Sequence, residues 1–242
     1  MPGAPPIVLI HGVGFGPETL APVAEALAAH AQVISVARRG YGERAGFPPA
    51  ATVAEHVEDV LSALDEAGTE RAVVAGMSGG ATVALALALS RPERVLVAVA
   101  HEPAVGSLSP RLRALVRGAL AHGGGSELVR VLAGTETWGR LPDAVVTALD
   151  ASPGLVEADA RAFLAFEPDL PPAPAVCPLV CSVGERSSAL RFEIAELLAA
   201  RTGARMVVVP GCGHLPQLDA PAAFARLIID QAFVNGEKTG VR

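Results

Sequence analysis

Val73-Val74-Ala75-Gly76-Met77-Ser78-Gly79-Gly80 is an apolar, β-type run that enters Gly-x-Ser-x-Gly, and a helical pattern follows over residues 81–90. Strand, sharp glycine turn with serine at its apex, then helix is the context that a nucleophile elbow requires. Such a turn forces Ser78 into a strained conformation. A side chain at 76 or 80 would strike the neighbouring strand or helix, so glycine gives clearance on both sides. The expected result is a hydroxyl held clear of a sheet, beside the free N–H groups of a helix N-terminus.

Outward from this segment, six short apolar runs have the continuous character of strands buried on both faces: residues 7–10, 33–36, 72–75, 95–100, 179–183 and 206–209. Helical patterns lie between them. Thr52-Val-Ala-Glu55 forms a capping box, and Val53, Val57, Val60, Leu61 and Leu64 make one apolar face before Gly68 ends the helix. Further helices are expected over 17–30, 79–90, 188–201 and 219–234. This alternation predicts an α/β fold, a mainly parallel sheet of about six strands covered on both sides, with right-handed crossovers. About seventy residues after Glu102 break the rhythm. Pro110, Gly123, Gly124, Gly125, Pro142, Pro153, Pro168 and the prolines of 171–174 divide them into short helices without a convincing strand. The expected organisation is a core of 1–103 and 175–242 with a helical cap, 104–174, roofing the crevice at the sheet's C-terminal edge. The tail from Asn235 is expected to fray.

Composition narrows the class. The 242 residues are 51% hydrophobic and 18% charged, with a net charge of −6. A globular chain with no basic stripe argues against nucleic acid or anionic membrane as partners. The long uncharged run 72–90 is broken by Gly76, Gly79 and Gly80 and is a poor membrane span, and no signal-peptide pattern is read at the start. A cytoplasmic monomer or homodimer acting on a small molecule is the expectation. Cys177, Cys181 and Cys212 lack zinc or thioredoxin spacing, so buried reduced thiols and no metal are expected.

A serine hydroxyl needs a base, and histidine is the side chain poised for this near neutral pH. Of the six histidines, His30, His56 and His122 fit packing or surface roles, and His11 fits a brace for the turn that it starts. His214, in the glycine-rich loop Pro210-Gly-Cys-Gly-His-Leu-Pro216 beyond the last strand, would project from the same sheet edge as Ser78. It is the expected base. An oxyanion needs two N–H donors, expected from Gly79 and from Val13 in His11-Gly12-Val13-Gly14, with Gly14 second.

Together these segments resemble the α/β-hydrolase family over nearly the whole chain: His11-Gly12-x-Gly14, Arg39-Gly40-Tyr41-Gly42, the elbow at 76–80, a cap insertion, and Gly211-x-Gly213-His214. The resemblance implies Ser…acid…His order, hydrolysis through an acyl-enzyme, and no cofactor. The family's first two strands are not read in this chain, and Ala37 stands where relatives carry aspartate. The acid also departs from the pattern: Gly184-Glu185-Arg186-Ser187 has serine at the usual aspartate position, where Ser187 reads as a helix N-cap. Glu102, in His101-Glu102-Pro103 at a strand end, meets the requirement to reach the second imidazole nitrogen. Glu185 is the alternative, and a site without an acid is a third.

The expected reaction is hydrolysis of an ester, thioester or lactone of a small apolar substrate. Gly14, Phe15, Met77, His101, Trp138, Phe163 and Phe166 are the candidate substrate contacts. Two rivals differ in class. The scaffold also hosts lyases, cyclases, perhydrolases and ligand-binding receptors. Gly12-Val-Gly14-Phe-Gly16-Pro17 with Arg38 and Arg39 also fits a dinucleotide site, against which stands proline where the fingerprint wants glycine.

Overall fold

The computed structural model describes residues 4–170 and 175–236. The proline cluster 171–174 and the tail from 237 lie outside the described residues; Asn235 and Gly236 close the last helix. The elements are β1 (Ile7–Ile10), α1 (Ala21–Ala28), β2 (Val33–Val36), α2 (Val53–Glu66), β3 (Ala72–Met77), α3 (Gly79–Ser90) and β4 (Val95–His101), then α4 (Pro110–Ala133), α5 (Thr135–Trp138), α6 (Asp143–Ala151) and α7 (Pro153–Ala165). The chain continues through β5 (Leu179–Gly184), α8 (Ala189–Thr202), β6 (Arg205–Val209), α9 (Pro216–Asp219) and α10 (Pro221–Gly236).

All six strands are parallel, in the order β2-β1-β3-β4-β5-β6. Side chains alternate across the sheet because strand periodicity is two. Val8, Ile10 and Val74 meet α2, α3 and α8 on one face, while Ile7, Leu9, Val73 and Ala75 meet α1 and α10 on the other. The chain winds from β1 outward to β2 and then restarts at β3 on β1's other side. The C-terminal ends of β1 and β3 therefore flank the point where winding reverses, the place where open α/β sheets leave a crevice.

Local chemistry explains the ends. Thr52 accepts from the Glu55 N–H (3.3 Å), and Glu55 accepts in return from the Thr52 N–H (3.0 Å), completing the capping box of α2. The expected helix over 17–30 is a 3₁₀ turn, Pro17–Leu20, followed by α1, and His30 lies in the turn beyond. The helix expected from 219 is interrupted at Ala220, which separates α9 from α10. Between β4 and β5 the described residues hold a 3₁₀ turn (Gly106–Leu108), the helical segments α4 to α7, and no strand. α4 is two helices that meet at a kink, where Gly123 and Gly124 have non-helical backbone (Gly124 φ 64°, ψ −147°), as glycine at these positions predicts. No described helix is long and apolar enough to cross a membrane. Cys177, Cys181 and Cys212 are free and buried, which pushes their thiols up to about 11, 12 and 12.

Candidate active site

Ser78 has φ 52° and ψ −120°. Among the described residues it shares positive φ, outside glycine, only with Glu102 (φ 49°). Non-glycine residues held in such conformations cost of order 1–3 kcal/mol and cluster where function requires the geometry. The flanking glycines are obligatory on steric grounds: a Cβ on Gly76 would sit 2.3 Å from the Gly80 carbonyl oxygen, and one on Gly80 would sit 2.2 Å from that of Ile10.

The turn aims Ser78 at the loop after β6. Ser78 Oγ is 3.1 Å from His214 Nε2, and His214 Nδ1 is 2.7 Å from Glu102 Oε2. An ionised carboxylate only accepts, so Nδ1 carries the proton and Nε2 keeps a lone pair toward the serine. Glu102 is fixed through its other oxygen, which accepts from the Gly184 N–H (2.9 Å) and the Ser187 hydroxyl. Ser187 is thus not the N-cap of α8. Ser188 takes that place without a side-chain bond, and Ser187, at the usual aspartate position, holds the glutamate instead. Glu185 is exposed and accepts from the Gly211 N–H (2.9 Å), bracing the loop away from the imidazole. His101 is buried, with Nδ1 3.1 Å from Ser182 Oγ and Nε2 3.2 Å from the Gly213 carbonyl, so it supports the His214 loop from below.

Burial pushes the His214 imidazole down to about 4, helped by the Arg191 cation and opposed by Glu102. Burial works to raise Glu102, but its bond to His214 and the nearby His101, His214 and Arg191 outweigh this and hold the carboxyl well below the usual range. The site at rest is therefore a neutral imidazole between a hydroxyl and a carboxylate.

The loop after β1 is pinned around Val13. The Gly12 carbonyl accepts from Arg38 Nη2 (2.9 Å), and the His11 ring contacts it at 3.0 Å. The Gly14 N–H donates to Tyr41 Oη (3.0 Å), which removes Gly14 as a free donor. The N–H groups of Val13 and Gly79 have no acceptor among the described residues. A Cβ on Gly79 would fall 3.0 Å from Val13 Cγ2, so the two residues are neighbours. Asp159 of α7 accepts from Arg38 (2.8 Å) and Tyr41 (2.7 Å), and lies 3.2 Å from His56, all buried. The arginines that a dinucleotide phosphate would need are thereby engaged: Arg38 by Asp159, and Arg39 by Asp59 and Glu55.

A cavity of about 20 Å³ lies against Ser78 and His214, lined otherwise by Val13, Phe15, Leu128, Val129, Leu132 and Leu215. Of the candidate contacts, Phe15 alone is among these lining residues. Gly14 packs beneath Leu149 and Val129; Phe163 stacks on His56 and presses on Gly79. Met77 faces the opposite core with Leu20 and Phe224, because the strand alternation turns it away from the crevice. Trp138 packs against the same apolar core as Val8 and Val74, and Phe166 borders a separate groove with Val57 and Leu89. Sequence reasoning misses Arg191, Asp159 and Ser187 as site residues; a polar side chain in or beside a helix carries no local signature of a distant partner.

Residues 7–227 match the alpha/beta hydrolase family, and the chain belongs to it. It is 40% identical over 129 residues to a protein of Klebsiella pneumoniae strain 342 provisionally named carbamate hydrolase RutD, a match covering 52% of this chain and 48% of that one. It is also 35% identical over 99 residues to a pimeloyl-[acyl-carrier protein] methyl ester esterase of Pectobacterium carotovorum, covering 40% and 37%. These matches span about half or less of the curated relatives' length. In fold it is similar to a thermophilic esterase from Thermogutta terrifontis, with TM-score 0.76, 23% identity, and 95% and 90% of the two chains covered.

Proposed function

We propose that this protein is a cofactor-independent serine hydrolase that cleaves a carboxylic ester, thioester or lactone of a small substrate through an acyl-enzyme. The observation that carries the reading is the continuous relay from Ser78 Oγ through His214 (3.1 Å) to Glu102 (2.7 Å). Ser78 Oγ attacks the carbonyl carbon as His214 Nε2 takes its proton. Glu102 stabilises the imidazolium, and the Val13 and Gly79 N–H groups receive the oxyanion. His214 then gives the proton to the leaving oxygen or sulfur, and later draws one from water to release the acid. The segment 104–174 acts as a cap, and its Leu128, Val129 and Leu132 give the acyl side an apolar lining. The relatives named for ester and carbamate cleavage favour a carbonyl with a heteroatom leaving group.

The test is a side-by-side assay of short aryl esters, thioesters and lactones with the parent protein and Ser78→Ala, together with labelling by a fluorophosphonate. Turnover and labelling that both vanish in the variant are expected. Labelling absent from the parent would sink the reading and favour a non-hydrolytic role on the same scaffold.

A further inference from the structure

Among the described residues, Arg191, in the first turn of α8, is the charged group in contact with the relay that the proposed reaction leaves without a task. Its side chain is 6% exposed. Nε lies 3.4 Å from Glu102 Oε2, and Nη2 lies 3.4 Å from His214 Nε2. Nη1 is buried with no hydrogen-bond partner among the described residues. Burying a guanidinium with one edge unanswered is costly, and such groups call for an acceptor.

Two features of the geometry define that acceptor. A neutral imidazole has one lone pair at Nε2, yet both the Ser78 hydroxyl and Arg191 Nη2 address it. Arg191 therefore competes with the nucleophile until something else takes its donors. Nε2 is also the atom that passes the proton to the leaving oxygen, so a group contacting Nε2 borders the leaving-group side. The charge count agrees. Glu102 and Arg191 cancel at rest, and forming the imidazolium adds a positive charge that Arg191 opposes. Glu102 already spreads its own charge over His214, Gly184 and Ser187. An anion on the leaving group would occupy the Nη1–Nη2 edge, free the lone pair for Ser78 and offset the new charge. Guanidinium matches carboxylate in this two-pronged way.

We propose that Arg191 is a specificity-determining residue whose Nη1–Nη2 edge receives a carboxylate on the leaving group, so that the preferred substrate is an acylated short hydroxy acid. This rests on the hydrolase reading. The ester C–O bond breaks, the Ser78 Oγ–carbon bond forms, and the serine proton passes through His214 to the hydroxy acid's oxygen; water then regenerates Ser78 and frees the acyl acid.

The experiment compares kcat/KM for O-butyrylglycolate and for its neutral methyl ester, which share the reacting carbonyl and leaving oxygen, in the parent, Arg191→Met and Arg191→Lys. The parent should favour the charged ester by about tenfold or more, the size of one charge-assisted contact. Arg191→Met should bring the ratio to about one or below, and Arg191→Lys should keep part of it. A ratio unchanged in Arg191→Met, or a parent that prefers the neutral ester, overturns the proposal. Should the variants fail to fold, free glycolate must inhibit the parent's hydrolysis of the neutral ester more strongly than ethylene glycol does; equal inhibition overturns it. Turnover of both esters at equal rates would remove only the carboxylate site. Turnover of neither, with Ser78 unlabelled, would remove the hydrolase reading itself.

Discussion

At the residue scale, the two strained positions, Ser78 and Glu102, are the two ends of one relay, and each should answer differently to substitution. Glu102→Gln keeps the shape but leaves the imidazolium without a counter-charge; kcat should fall by about 10²–10⁴, as for acid variants of serine proteases. The melting temperature should also drop, because buried Arg191 loses its carboxylate partner. Glu185→Gln should leave kcat near the parent value, since its contact is with the Gly211 N–H. The pH profile follows from His214. Its imidazole, pushed down to about 4, stays unprotonated well below the ordinary 6.5, so kcat/KM should rise with pH through an acid limb near 4. A limb at 6.5 or above would mean that burial and Arg191 do not act as described. Ser78, His214 and the preference for Glu102 are readable from short motifs. Ser187 and Arg191 are not, because their importance lies in contacts made across 85 residues to Glu102 and 23 residues to His214.

Among the elements, the strands are the most legible. The central strands are apolar runs buried on both faces, whereas the edge strands β2 and β6, expected to be buried likewise, are partly exposed because each has a neighbour on one side only. Starts and stops agree within one or two residues, because a strand's ends are set by its ladder hydrogen bonds and not by side-chain pattern alone. The helices after Glu102 are less legible. The glycine break expected at 123–125 is present, since Gly123 and Gly124 leave helical geometry and split α4 into two helices at a kink, but the pairing of these short helices with the rest of the fold has no local signature. The β3–α3 junction is closely packed on backbone. Gly76→Ala would drive a methyl group into backbone that cannot withdraw, at 2.3 Å from the Gly80 oxygen. Overpacking of this kind typically costs about 1–3 kcal/mol and occasionally more; here, against backbone, a loss of about 3 kcal/mol in urea unfolding and loss of Ser78 labelling are expected. Labelling and stability retained together would show that the elbow has room to relax.

For the whole molecule, Asp159 ties the helices after β4 to the loop that carries Val13, through Arg38 and Tyr41. Asp159→Ala leaves the Arg38 cation buried without its partner, and urea denaturation should show a loss of about 3–5 kcal/mol. Acid should also destabilise the fold. An unfolded chain takes up a proton at position 214 below the ordinary 6.5, whereas the folded one does so only near 4, so this contribution is present above 6.5 and drains away as pH drops toward 4. The lowered Glu102 carboxyl acts in the same sense at still lower pH. Thermal melts between pH 7 and 4 should fall monotonically from these groups. The 20 Å³ space beside Ser78 has a further consequence, for it has room for about one water molecule and for no ester. Under the proposed hydrolase reading, the side chains lining that space must part before an ester can seat, and where their parting is slower than bond-breaking it sets the ceiling on throughput. Thickening the buffer with sucrose should then slow the best substrates and leave sluggish ones untouched.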